Sequence, residues 1–242
     1  MQKYNYFVLG YNAIDYFNNW YDRSVFPNTT MRFVDNGDQK TPPSMETNIV
    51  HKSNTNLGCA GGWNLICDIG FNHYNLDVII VGQEDGRVSE EVFEALITNC
   101  DSHTLCGTYD NGFEFSTFAI HRDTFAKVGR FDENFVYVGC EDNDYKYRCK
   151  LFGVEVVTLG ISHTYNCSIA NNNNVKPKKS STHNADYMER KWGNYTYTKP
   201  FNGEQVETYT DYFLELHGLV KQFPSKLEYE TFKKTNNENY IE

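Results

Sequence analysis

Residues 76–82, LDVIIVG, are almost continuously apolar. A run of that kind and length reads as a strand covered on both faces rather than one with a wet side. A helix pattern opened by glycines precedes it, LGCAGGWNLICDIGFNHY (57–74), with Trp63, Ile66, Cys67 and Gly70 on one side. A second helix pattern follows, SEEVFEALITNC (89–100), with Ser89 placed to cap it. A doubly covered strand between helices implies a mostly parallel sheet with helices on both faces.

The flanking sequence repeats the alternation. NYFVLG (5–10), MRFVDNG (31–37) and TNIVHKS (47–53) read as strands, and AIDYFNNWYDRSV (13–25) as an amphipathic helix. In sheets of this class ligands bind beyond the C-terminal strand ends. That puts Gly10–Asn12, Asp35–Gly37 and Gln83–Asp85 on one rim. The second half is more mixed. TLCGTYD (104–110), EFSTFAIHR (114–122) and VEVVTLG (154–160) read as strands, and DTFAKVG (123–129), 141–152 and ADYMERKWG (185–193) as helices. ANNNNVKPKKSSTHN (170–184) is polar and aperiodic, as a loop is. EQVETYTDYFLELHGLV (204–220) is a further helix pattern in the tail.

Composition narrows the function classes. The formal net charge of −10 argues against general nucleic-acid binding, which needs a basic face. It leaves room for an anionic ligand, since a metal ion and a few amides hold a diphosphate locally. Seven cysteines at irregular spacing, without a CxxC pair, fit free thiols in a reducing compartment rather than a zinc site. No run approaches the roughly 20 apolar residues that span a bilayer, and the first residues lack a signal-peptide pattern. The expected location is the cytoplasm (the host cytoplasm for a virus-encoded chain).

VGCEDNDYKYRCKLFG (138–153) crowds Glu141, Asp142 and Asp144 into four positions. Helix chemistry alone accounts for much of this. Acids at a helix start complement its dipole, Asp144 and Arg148 are spaced to pair, and Gly153 suits a helix end.

Four separated segments, FVLGYN (7–12), FVDNGD (33–38), NTNLGCAGGWN (54–64) and VIIVGQED (78–85), follow in order a pattern that resembles the family 2 glycosyltransferases of GT-A fold. The stretch FAIHRDTFAKVGRFDENFVYVGCEDNDYKYRCKLFG (118–153) continues the resemblance through its Phe-Asp-Glu and Glu-Asp order, and HNADYMERKWG (183–193) looks like the family's C-terminal helix. The likeness covers roughly residues 5–165. It implies a Rossmann-like, mostly parallel central sheet flanked by helices, a smaller mixed second sheet and a C-terminal helical extension. The expected division is a transferase domain over 1–195, with a donor-binding half (1–100) and an acceptor-binding half (101–195), and an extension over 196–242.

The resemblance also implies an activity: inverting transfer of a sugar from a UDP-, GDP- or dTDP-sugar to a glycan or other hydroxyl acceptor, assisted by Mn2+ or Mg2+. A hard cation bridging two phosphates prefers oxygen ligands, and a carboxylate must take the acceptor's proton. By resemblance Asp85 is a metal ligand and His163 a second one. The family's Asp-x-Asp is Gln83-Glu84-Asp85 here, so its first aspartate is replaced, and Gln83 or Glu84 is left for the ribose or an ordered water. Asp35 is expected on the base of the nucleotide, with Gly10, Tyr11 and Asn12 lining the same pocket. Asn56, Gly58 and Asn64 are expected along the glycine-rich helix start, against base or phosphates, whereas Trp63 reads as core. Asp142 is the expected catalytic base, with Glu141 as its neighbour or alternative, and Asp144 the structural acid. Lys178 and Lys179, in KPKKSS, could close over the donor. Two rival readings stand beside this one: a nucleotidyltransferase on a similar sheet, which would need a basic residue after the first strand, and a binding module that kept the fold without the chemistry.

Overall fold

A computed structural model describes residues 2–11, 31–36, 49–53, 56–84, 86–109, 113–160, 164–165, 184–185, 187–189 and 191–192. Asn12, Asp85, His163, the helix expected over 13–25, the lysines at 178–179 and the 196–242 extension lie outside these residues.

Seven strands form one sheet. In chain order they are β1 (Tyr4–Gly10), β2 (Met31–Asp35), β3 (Ile49–Lys52), β4 (Val78–Gln83), β6 (Thr104–Tyr109), β7 (Phe113–His121) and β8 (Glu155–Thr158), arranged β3-β2-β1-β4-β7-β6-β8. β7 runs antiparallel to both its neighbours, while the other pairings, β3–β2, β2–β1, β1–β4 and β6–β8, are parallel. The sheet is therefore mostly parallel and continuous across the expected boundary at residue 100. The smaller second sheet is a two-stranded antiparallel ladder of β5 (Gly86–Arg87) and β9 (Thr164–Tyr165).

β4 lies between β1 and β7, and its apolar run is explained by that central place. Val78, Ile79, Ile80 and Val81 are each fully buried. Ile79 and Val81 enter a core with Trp63, Ile66 and Cys67 of α1 (Gly58–Cys67), together with Phe131, Tyr145 and Trp192. Val78 and Ile80 enter the opposite core, with Val92, Phe93 and Leu96 of α2 (Glu90–Asn99). The period-2 alternation of a strand thus feeds two hydrophobic layers. Ser89 caps α2 as its position predicts, its hydroxyl accepting from Val92 N–H at 3.3 Å.

α1 passes into a π-helical turn over Asp68–His73, so the single helix expected over 57–74 has two geometries. α3 (Arg122–Val128) leaves β7, and α4 (Glu141–Leu151) carries the acid-rich stretch. Gly153, at φ +62, comes directly after the C-cap Phe152 of α4, as a helix-ending glycine does. Trp63 belongs to an aromatic core, with Phe131 at 5.1 Å, Phe118 at 5.4 Å and Phe115 at 5.6 Å between ring centroids. The six cysteines among the described residues are free thiols, five of them buried. No helix among the described residues is long and apolar enough to cross a membrane.

Candidate active site

The parallel register brings three strand ends together. Gly10 lies opposite Asp35, and Leu9 opposite Gln83. Beyond these ends the chain stitches itself into one rim. Asn36 N–H donates to Gly10 O at 2.8 Å, Glu84 N–H to Leu9 O at 3.3 Å, and Tyr11 N–H to the Glu84 carboxylate. Glu84 is 3% exposed, so its side chain shapes the rim from within. Gln83 reaches sideways, its amide donating to Phe115 O at 3.4 Å. Asp35 is fully buried, with Lys52 Nζ at 3.4 Å.

The start of α1 is fastened to this rim by Asn36, which the sequence reading put on the rim without giving it a role. Asn36 Oδ1 accepts from Leu57 N–H at 2.9 Å, and its Nδ2 donates to Gly58 O at 3.1 Å and Asn56 Oδ1 at 3.3 Å. Asn56 Oδ1 also accepts from Gly58 N–H at 2.8 Å. Cys59 N–H donates to Tyr137 O at 2.6 Å. The amides of residues 57–59 are therefore spent inside the protein. The expected phosphate contact at Asn56 and Gly58 would not come from those N–H groups. An Asn at a strand end followed by Gly was the available signal for Asn36, but its partners lie about twenty positions on.

Asn64 is also turned inward. Its Oδ1 accepts from Phe131 N–H at 2.8 Å, and its Nδ2 donates to Phe131 O at 2.9 Å and Glu133 Oε1 at 2.7 Å. With 1% exposure and this set of partners, it ties α1 to the segment before α4 rather than facing the strand-end rim. The family-like Phe-Asp-Glu therefore has a structural use: Phe131 and Glu133 hold Asn64, and Asp132 takes part in the buried network described below.

The acids of α4 separate by environment. Asp144 is fully buried and bound to Arg148 Nε and Nη2, both at 2.9 Å, as its spacing predicts. Asp142 is about one-fifth exposed, with Lys146 Nζ at 3.7 Å. Glu141 is buried, and its carboxyl receives the Cys59 thiol together with the N–H groups of Gly139 and Glu141 itself. Burial first, and the negative charge of Asp142 second, push Glu141 up to about 8 against those donors. Near neutral pH this side chain holds a proton. A buried carboxyl pushed up in this way beside a second acid is a feature of acid–base sites.

Contacts run without a break from Glu84 through Tyr11, Gly10, Asn36 and Gly58–Cys59 to Tyr137 and Glu141. Gly10, Tyr11, Asp35, Asn56, Gly58, Gln83 and Glu84 thus border one rim, and Glu141 is joined to it through Cys59, with Asp142 next in the chain. The expected metal ligands lie outside the described residues. Among the described residues no group of three or more His, Cys, Asp or Glu is placed to hold a metal ion.

No family model matches the sequence, and no curated protein matches it. Among solved structures, the chain is similar to S. aureus TarS 1–349, with a TM-score of 0.45 and 13% identity over 69% of this chain and 60% of that one. It is also similar to GalNAc-T7 with UDP, GalNAc and Mn2+, with a TM-score of 0.49 and 11% identity over 97% of this chain and 55% of that one. The chain spans less than two thirds of the length of either.

Proposed function

We propose that this chain is a GT-A glycosyltransferase resembling family 2, which moves a sugar from a nucleotide-diphosphate sugar to an acceptor hydroxyl. The observation that carries the reading is the unbroken contact path from the strand-end rim to the Glu141–Asp142 pair. A donor seated over Asp35 and Gly10–Tyr11 would have its sugar within reach of a carboxylate at the start of α4.

Asp142 is the base. Its carboxylate takes the acceptor's proton as the acceptor oxygen bonds to the anomeric carbon. The bond from that carbon to the diphosphate breaks on the opposite face, and the electron pair leaves with the diphosphate. A single displacement inverts the centre. Glu141, already holding a proton, is the weaker candidate for this work. Asp35 receives the base of the nucleotide and Tyr11 lines the same pocket, while the space a Cβ would take at Gly10 is filled by Phe33 and Glu84. Asp85 and His163 would hold a divalent cation, which stabilises charge on the departing diphosphate. A carboxylate with an imidazole is a reasonable donor set for Mn2+.

Incubation with a panel of UDP-, GDP- and dTDP-sugars and Mn2+, followed by release of nucleoside diphosphate, tests the proposal. Asp142→Asn should cut transfer by about 100-fold or more and spare nucleotide binding. Wild-type transfer by that variant would reject the base. Binding of nucleotide sugar without turnover in the wild type would favour the binding-module reading, which draws on the replaced first aspartate of the Asp-x-Asp motif.

A further inference from the structure

Four buried hydrogen-bonding side chains among the described residues of 184–192 grip the segment that carries Glu141 and Asp142. Lys191 is 3% exposed, and its ammonium lies 2.6 Å from Asp132 Oδ2 and 2.8 Å from Asp144 Oδ1. The Tyr187 hydroxyl donates to the same Asp132 oxygen at 2.8 Å. The Trp192 indole N–H donates to Asp144 Oδ1 at 2.8 Å. Asn184 Oδ1 accepts from Val136 N–H at 2.8 Å, and its Nδ2 donates to Val136 O at 2.9 Å and Val138 O at 3.1 Å.

These contacts bracket the acid pair. Asp132 stands before it in the chain, Asp144 just after it, and Val136–Val138 between. The span they enclose holds three departures from ordinary backbone within four residues: Tyr137 at φ +58, Gly139 at φ +110 and Cys140 at φ +71. Left-handed conformations outside glycine cost energy and persist only when neighbouring structure holds them. A buried lysine shared by two carboxylates adds little net stability for its desolvation cost. What it can supply is a fixed distance between two points of the chain.

We propose that Lys191, with Asn184 and Tyr187, is a positioning element that holds the 132–144 segment so that Asp142 meets the acceptor hydroxyl. The inference rests on the function proposed above for its catalytic consequence, and on the contacts alone for its structural one. The 184–192 segment acts as a splint: it touches both ends of the connection and takes no part in the chemistry.

The test pairs kinetics with amide hydrogen exchange on the full chain. Lys191→Met should lower kcat by roughly 10- to 100-fold with donor KM little changed, because misplacement of a reacting group acts on the chemical step. Exchange should quicken at 136–142 and stay at wild-type rates in β1 and β4. Lys191→Met leaves the buried Asp132 without its cation and Asp144 with Arg148 alone, so Asn184→Ala and Tyr187→Phe are measured beside it. They should move kcat and the 136–142 exchange in the same direction by smaller factors, and they decide the matter if the lysine variant does not fold. Wild-type exchange at 136–142 in the folded variants overturns the proposal, and so does a uniform rise across the sheet. A wild type that transfers no sugar from any donor rejects the function, while the exchange pattern still judges the splint.

Discussion

The backbone N–H of Cys59 donates to the carbonyl of Tyr137 across 2.6 Å, joining the start of α1 to the loop that delivers α4. One hydrogen bond thus links the strand-end rim to the acid pair, and Gly58 makes it possible. Gly58 has φ +73, and a Cβ there would stand 2.9 Å from Tyr137 O and 3.0 Å from its Cα and N. Backbone atoms cannot rotate aside as a side chain would.

Gly58→Ala is therefore expected to destabilise the fold by about 1–3 kcal/mol, combining the left-handed backbone penalty with displacement of the Tyr137 loop. Urea denaturation reads the loss, and nucleotide-sugar turnover should fall with it. An unchanged midpoint would mean that the junction yields freely.

The adjacent acids of α4 should respond differently to removal. Asp144→Ala takes the carboxylate from buried Arg148 and leaves Lys191 with Asp132 alone, and loss of one partner of a buried ionic network costs about 3–5 kcal/mol. Asp142→Asn loses a longer, 3.7 Å pair with Lys146, in which each side chain is about one-fifth exposed, and this loose contact is worth no more than about 1 kcal/mol. Thermal melts of both variants should show a large drop for the first and almost none for the second. Equal drops would remove the division into structural and chemical acids.

Glu141 makes stability depend on pH. Burial first, then the charge of Asp142, raises it from an ordinary 4.5 to about 8. Between those values the folded chain keeps a proton that the unfolded chain has released. The contribution of Glu141 to stability is therefore greatest below the lower value, falls as pH rises through the window, and is gone above about 8. Glu141→Gln should flatten that descent and be more stable than wild type on the alkaline side. Melting temperatures across the window check this, and an identical slope in the variant would place the titration elsewhere.

Metal dependence is read without catalysis. A nucleoside diphosphate with Mn2+ should raise the wild-type melting temperature by mass action, by about 2.7 kcal/mol in stability at a hundredfold excess over Kd. Asp85→Ala should abolish the part of that shift that needs Mn2+, and His163→Ala should weaken it. Full retention in the Asp85 variant would reject that ligand.

Much of this architecture could be read along the chain because it is local. The buried run at 78–81, the Ser89 cap, the Asp144–Arg148 spacing and the Gly153 stop each depend on neighbours within a few residues. Strand ends could be named for the same reason. Asn64 could not be understood that way, since its partners at 131 and 133 are some seventy positions distant. Asn36 and Lys191 carried no local sign of what they hold.

What the sequence by itself determined is the alternation of strands and helices, the acids that begin α4, and therefore which carboxylates are available. Periodicity, capping and charge spacing act over one or two helical turns, so they are written in consecutive residues. Only the tertiary structure decided which of those carboxylates is paired, which is protonated and which meets solvent. Those outcomes depend on burial and on partners supplied from remote segments, and desolvation arises only once such segments have packed together.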